Sequence, residues 1–322
     1  MTAAPVRWGF LAAGYIATRA LAPAVHRAAG AELYAVAARD QHRAEALQPR
    51  RVHSTYRDVL DDPDVDAVYI SLTNEAHLPW ITASLEAGKH VLCEKPLTMS
   101  AAECEAAFGC AERERRLLVE AGWMRWHPRY RRAAELLGSA ASGAAQEIGA
   151  TFTFDGVPED NYRKHRSLGG GALLDLGAYV LAPVIDWCGP SRWSINARQT
   201  VNDRGADLRT DATLNSGNTT ARITTSIVDP EQQALTVAAA GVTLTWGPDA
   251  FTSWRAASTL TVADETTQTV EEFAPCDAYQ LMVEDVSRRV KDGETVRAPE
   301  RDASLRTALL IDQIASAASV AA

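Results

Sequence analysis

The stretch GKHVLCEKPL, residues 88–97, reads as a short buried strand that runs directly into a charged pair, Glu94 and Lys95, and stops at Pro96. Gly88 closes the helical pattern WITASLEAG (80–88) just before it. Ligands of open α/β sheets sit beyond the carboxyl ends of the strands, so a covered strand ending in charge aims that charge into a cleft.

The same alternation continues on both sides. Short apolar runs VRWGFL (6–11), AELYAVAA (31–38), DAVYISL (66–72), HVLCE (90–94) and RLLVEA (116–121) alternate with helical patterns such as ATRALAPAVHRAAG (17–30). Near-continuous apolar strands between helices predict a parallel sheet covered on both faces, a doubly wound α/β domain in which HVLCE is the fifth strand. After about residue 145 the texture changes to period-two, Thr-rich segments: EIGATFTFD (147–155), DATLNS (211–216), TARITTSIV (220–228), ALTVAAAGVTLTW (234–246) and STLTVAD (258–264). These predict a mostly antiparallel sheet in an α+β domain. One helical stretch, ALLDLGAYVLAPVIDW (172–187), follows the glycine run 169–171, and the chain returns to helix in YQLMVEDVSRRVKDG (279–293) and DASLRTALLIDQIASAA (302–318). The expected division is residues 1–122 and 123–322, with the last helices able to pack back on the first domain and a packed hinge near 122.

Length and charge narrow the function. A chain of 322 residues exceeds the usual size of a single core, which favours two domains. The formal charge of −9, with no long basic run, argues against nucleic acid and anionic membrane as partners. The start, MTAAPVRWGFLAAGYIA, has no signal-peptide pattern, and no membrane-length apolar stretch occurs, so a cytoplasmic location is expected. Cys93, Cys104, Cys110, Cys188 and Cys276 show no C-x-x-C spacing, which predicts buried free thiols and neither a zinc site nor a disulfide framework.

The first strand leads into FLAAGYIA (10–17), where a dinucleotide fold carries G-x-G-x-x-G or G-x-G-x-x-A. Ala12 replaces the first glycine, Gly14 keeps the second, Tyr15 and Ile16 follow, and Ala17 is the closing alanine. A side chain at 14 would hold a pyrophosphate away from the backbone amides at the helix start. The second strand ends before Arg39, with Arg43 one turn later, where NAD-selective enzymes place an acid for the ribose hydroxyls. A guanidinium there suits the 2′-phosphate of NADP, with NAD possible if Arg39 instead stacks on the adenine.

GKHVLCEKPL, together with TNEAH (73–77), EAGWMRWHP (120–128) and GGGALLDLGAY (169–179), resembles the glucose-fructose oxidoreductase and inositol dehydrogenase family, Gfo/Idh/MocA, over nearly the whole chain. The tyrosine in the last motif resembles the dimeric dihydrodiol dehydrogenase and sugar 3-ketoreductase branches. The resemblance implies a Rossmann domain followed by a substrate-binding and oligomerisation domain. It also implies nicotinamide and substrate at the crevice between them, a cis bond before Pro96, and a homodimer or homotetramer. By likeness Glu94, Lys95 and Pro96 lie beside the nicotinamide, and Leu72, Thr73 and Asn74 lie near the cofactor, with His77 there or structural. Trp123 and Arg125 are placed against cofactor or substrate, and Asn161 and Arg163 on a substrate loop.

Lys95, Asp175 and Tyr179 are the catalytic candidates. Asp175 and Tyr179, four apart, share a helix face, with Asp175 expected to orient a substrate hydroxyl. Ala182 stands where histidine-type polyol dehydrogenases often carry another aspartate, which argues against an inositol dehydrogenase. The implied reaction is NADP-dependent hydride transfer to or from a secondary alcohol or ketone of a sugar, sugar nucleotide or cyclic diol. Either Tyr179 or Lys95 supplies the proton, and no metal is implied. A dinucleotide-binding regulator without turnover is the alternative, because fold alone does not fix function.

Overall fold

The computed structural model describes residues 4–139, 145–189 and 192–321. The described chain divides into two compact units, Met1–Trp123 with Asp277–Ser304, and Met124–Cys276 with Leu305–Ala322.

In the first unit the apolar runs become β1 (Val6–Leu11), β2 (Ala31–Ala37), β4 (Ala67–Ile70), β5 (His90–Cys93) and β6 (Leu118–Glu120). Their order is β3-β2-β1-β4-β5-β6, all parallel, so the sequence direction reverses between β1 and β4. The three-residue edge strand β3 (Arg51–His53) is absent from the predicted runs because none of its residues is buried. The chain following β1 opens as a π-helical turn at Ala17–Leu21 before α1 (Ala22–Arg27). Next come α2 (Gln41–Glu45), α3 (Tyr56–Asp61), α4 (His77–Glu86) and α5 (Ala101–Glu114). Local chemistry sets their starts. Thr55 and Asp58 form a reciprocal capping box on α3, and Ser100 accepts the Glu103 amide at the start of α5.

In the second unit α6 (Pro128–Ser139) leads to β7 (Glu147–Thr153), and α7 (Ala172–Trp187) follows the glycine run. The other strands are β8 (Ser194–Val201), β9 (Asp207–Ser216), β10 (Thr219–Ser226), β11 (Gln232–Ala239), β12 (Val242–Trp246), β13 (Ser258–Ala263), β14 (Gln268–Phe273) and β15 (Ala318–Ala321). The sheet order is β14-β13-β12-β11-β7-β10-β9-β8-β15. Pairing is antiparallel except for β7 with β10 and β8 with β15, which bears out a mostly antiparallel sheet. The run ALTVAAAGVTLTW forms the hairpin β11–β12, turning at Gly241 with φ +79°.

Of the terminal helices, α8 (Ala278–Lys291) belongs to the first unit. It buries Met282, Val283 and Val286, and its Ser287 Oγ accepts the indole N–H of fully buried Trp8 at 3.1 Å. The last helix is α9 (Ala298–Ala317). Four cysteines are buried free thiols and Cys276 is half-buried. No helix among the described residues is long and apolar enough to cross a membrane, and no cluster of metal-ligating side chains occurs among them.

Candidate functional site

Ala12 occupies the first glycine position of the fingerprint and takes that position's left-handed backbone, φ +83°. The loop is tied to its neighbours. Ala12 N–H donates to Ala37 O at 2.9 Å, and Arg43 Nη2 reaches over to Ala13 O at 2.6 Å. A Cβ on Gly14 would lie 3.2 Å from Ser71 O and 3.5 Å from Ser71 Oγ, so the chain after β4 closes one side of the glycine. Ser71 Oγ is itself buried without a hydrogen-bond partner among the described residues, a hydroxyl the sequence reading missed. Tyr15 is exposed, with Arg19 over its ring, and Ile16 is half-buried.

At the end of β2, Arg39 is exposed, and no hydrogen bond or ion pair engages its guanidinium among the described residues. Asp40, the acid next to it, instead caps α2 by accepting the His42 amide at 3.0 Å. A glycine cradle, an unpartnered buried hydroxyl and an exposed cation at the β2 end together fit the phosphates of a dinucleotide. These residues suit NADP.

The loop after β4 and the turn after β5 are clasped by His77, which is fully buried. Its Nδ1 lies 2.9 Å from Pro96 O and its Nε2 3.2 Å from Leu72 O. Burial holds the ring below its usual pKa against the pull of these carbonyls, and the Lys95 charge adds to the lowering. Thr73 donates to Glu75 at 2.8 Å, and Asn74 is buried. The Lys95–Pro96 bond is cis.

Glu94 is buried and accepts the Tyr69 hydroxyl at 2.8 Å; burial pushes its carboxyl up, opposed chiefly by Lys95. Glu120 receives the Leu97 amide at 3.0 Å and the Ser304 hydroxyl at 2.6 Å, fixing the chain beyond the turn. Tyr69, Glu120 and Ser304 support the Glu-Lys-Pro turn; Glu120 opens the EAGWMRWHP motif, and no local motif marks the other two. Lys95 itself is half-buried, and Trp123 is buried 6.0 Å from the ring of Tyr279.

In the second unit, Arg125 is held in a two-point ion pair with Asp186, at 3.0 and 3.1 Å, which also accepts the Tyr130 hydroxyl. Asn161 caps a short turn by accepting the Arg163 amide at 3.0 Å. Both predicted contacts thus have local structural work. The glycine run is a matter of space, since a Cβ on Gly170 would come within 2.4 Å of Tyr162 O. That run presents α7, on which Asp175 is buried and Tyr179, one turn on, is half-buried. The Tyr179 ring meets Phe152 edge-on at 5.5 Å and Phe251 at 6.2 Å. Asp207 of β9 accepts the Leu173 amide at 2.9 Å, which gives α7 the cap that Gly171 lacks.

Comparison with known proteins agrees with this geometry. A model of the oxidoreductase family with NAD-binding Rossmann fold matches residues 6–121, and one of the GFO/IDH/MocA C-terminal domain matches residues 130–244. The chain is 35% identical over 324 residues, 98% of each chain, to D-xylose 1-dehydrogenase (NADP(+)) 2 of Haloferax volcanii. It is 40% identical over 178 residues, 54% of each chain, to dTDP-3,4-didehydro-2,6-dideoxy-alpha-D-glucose 3-reductase of Saccharopolyspora spinosa. Among solved structures, a 3-ketoreductase from Actinomadura kijaniata in complex with NADP and TDP-benzene superposes with a TM-score of 0.90, at 27% identity over 98% of each chain.

Proposed function

Because the chain belongs to the Gfo/Idh/MocA oxidoreductase family, we propose that it is an NADP-dependent enzyme oxidising or reducing a hydroxyl-bearing carbon of a sugar or sugar nucleotide. The observation that carries the cofactor half is the pairing of the Gly14–Ser71 cradle with an unengaged Arg39 at the end of β2. The substrate half is supported by the D-xylose dehydrogenase and 3-ketoreductase likenesses. A regulator without turnover is disfavoured, because the named relatives are dehydrogenases and reductases.

NADP, when bound, supplies or accepts the hydride. The residues Ala12–Ile16 would hold its pyrophosphate, Arg39 its 2′-phosphate, and the His77-braced loops its nicotinamide end. In the reducing direction Tyr179 gives its hydroxyl proton to the carbonyl oxygen of the sugar, and in the oxidising direction it takes that proton back. Lys95 is the alternative source of that proton. Phe152 and Phe251 fix the plane of the Tyr179 ring and keep the aim of its hydroxyl.

The test is nicotinamide absorbance with D-xylose plus NADP+ and, in the other direction, with a dTDP-linked 3-ketosugar plus NADPH. Turnover of either, several-fold faster with NADP(H) than with NAD(H), supports the reading. Tyr179→Phe should lower turnover about 100-fold and leave NADPH affinity nearly unchanged. NADPH binding without turnover on either substrate would reject it, and a Tyr179→Phe enzyme of near-normal rate would move the proton to Lys95.

A further inference from the structure

Arg163 is fixed at both of its ends. Its carbonyl accepts the Gly171 amide at 2.8 Å, and a Cβ on Gly170 would come within 2.6 Å of the same oxygen, so nothing larger than glycine lets the loop close. Its guanidinium donates from Nε to Asp175 Oδ2 at 2.7 Å and from Nη2 to Asp175 Oδ1 at 3.3 Å. The plane also stacks 4.8 Å from the centre of the Tyr162 ring. The carboxylate side chain is only 6% exposed and the guanidinium side chain 29%, so the acid is the buried anchor and the arginine the part that solvent or a ligand can reach.

Both carboxylate oxygens of Asp175 face this fork, while Nη1 of Arg163 makes no hydrogen bond among the described residues. Tyr179 lies one turn along α7 from Asp175. A cation anchored by a buried acid, with one donor edge left over beside the proposed proton donor, is a recognition element.

We propose that Arg163 is the side chain of this unit that recognises substrate, and that Asp175 acts through it as a positioning residue, aiming Nη1 at a hydroxyl or carbonyl oxygen of an uncharged sugar. The pair is neutral as a whole, which favours an uncharged oxygen over a phosphate or carboxylate at this point. The likeness placed Arg163 on a substrate loop and gave Asp175 the direct contact with a substrate hydroxyl; the fork transfers that contact to Arg163. This inference rests on the proposed function.

The experiment compares wild type, Asp175→Asn, Arg163→Gln, Arg163→Lys and the double variant Asp175→Asn/Arg163→Gln in NADP+-dependent oxidation of D-xylose. It also follows the arginine Nε–H resonances by NMR. Each single variant should lose about 10- to 100-fold in kcat/KM, chiefly through KM, with NADP+ affinity unchanged. The double variant should be no more than about threefold worse than the poorer single, since on this proposal Asp175 acts on substrate through Arg163. Arg163→Lys, which keeps charge and loses the fork, should recover only part of the loss.

Additive losses, or a wild-type KM in Arg163→Gln, would overturn the assignment. In wild type one Nε–H should exchange slowly and lose that protection in Asp175→Asn; its absence from wild type overturns the pairing whatever the kinetics show. A wild type that turns over only the dTDP-linked 3-ketosugar is compared with the variants on that substrate, whereas one inert toward both counts against the proposed function and leaves the resonance to decide the pairing.

Discussion

On the proposed reading Arg39 sets the cofactor choice, since no hydrogen bond or ion pair among the described residues holds its guanidinium. Replacing it with aspartate removes a cation and adds an anion, so NADP+ should lose on the order of 1.5–3 kcal/mol of binding while NAD+ loses little. Titration of both cofactors against wild type and Arg39→Asp checks this, and equal wild-type affinities would make Arg39 an adenine-stacking residue. His90 is a different case. Its Nδ1 accepts the Leu117 amide at 3.0 Å, so the folded ring is neutral, and burial with the Arg116 charge holds its pKa down to about 4. The unfolded chain takes up that proton at about pH 6.5, so the stability His90 contributes is full above that pH and is lost as pH falls toward 4. Relative to His90→Gln, wild type should lose on the order of 1–2 kcal/mol of unfolding free energy between about pH 7 and 4.5 in urea titrations. Arg39 was legible in the sequence because its place after an apolar run locates it. The state of His90 was not, because the amide it accepts lies 27 positions along the chain.

Among the elements, α7 depends on a residue that is far from it in sequence. Asp207 takes the Leu173 amide and the Thr210 hydroxyl, and a Cβ on Gly171 would lie 2.2 Å from its Oδ1. Asp207→Ala should therefore cost about 1–2 kcal/mol of stability as a lost helix cap, and Asp203→Ala, at an exposed site in the preceding turn, close to nothing. Equal denaturation midpoints for the two variants would reject that role. The helix itself, Ala172–Trp187, was readable to the residue, as was β1, because each is a continuous apolar run between clear breakers. Strands β8, β14 and β15 were not read. β14 buries none of its six residues, and β8 buries only Ala197 and Gln199, so neither offers an apolar face to detect. In ALTVAAAGVTLTW the division into β11 and β12 was hard to see, since a two-residue turn of small residues leaves no break in an apolar pattern.

For the whole molecule, the first unit is discontinuous in sequence, Met1–Trp123 completed by Asp277–Ser304. The returning segment brings Ser287 to Trp8, Tyr279 to Trp123 and Ser304 to Glu120, and buries Met282 and Val286. A fragment of residues 1–123 alone should collapse without a cooperative melt, while the same residues joined by a linker to 277–304 should melt cooperatively with native near-UV circular dichroism. A sharp transition in the shorter fragment would show that α8 is dispensable to that core. The candidate site follows the same division of legibility. Its motif residues were visible as local patterns, whereas Ser71, Glu120, Asp207 and the Arg163–Asp175 fork exist only through contacts that folding creates.

The return of α8 to the first unit also sets an order of events at the ribosome. The six strands of the first unit are complete by Trp123, yet the helix that covers Trp8 is encoded only after a further stretch of about 150 residues. At bacterial and eukaryotic elongation rates that interval is roughly 8 to 30 s, during which the nascent Rossmann sheet presents an uncovered apolar flank. The newborn chain is thus open to holding chaperones until α8 has emerged, and destabilising changes in α8 should lower cellular yield more than the melting temperature of purified protein suggests.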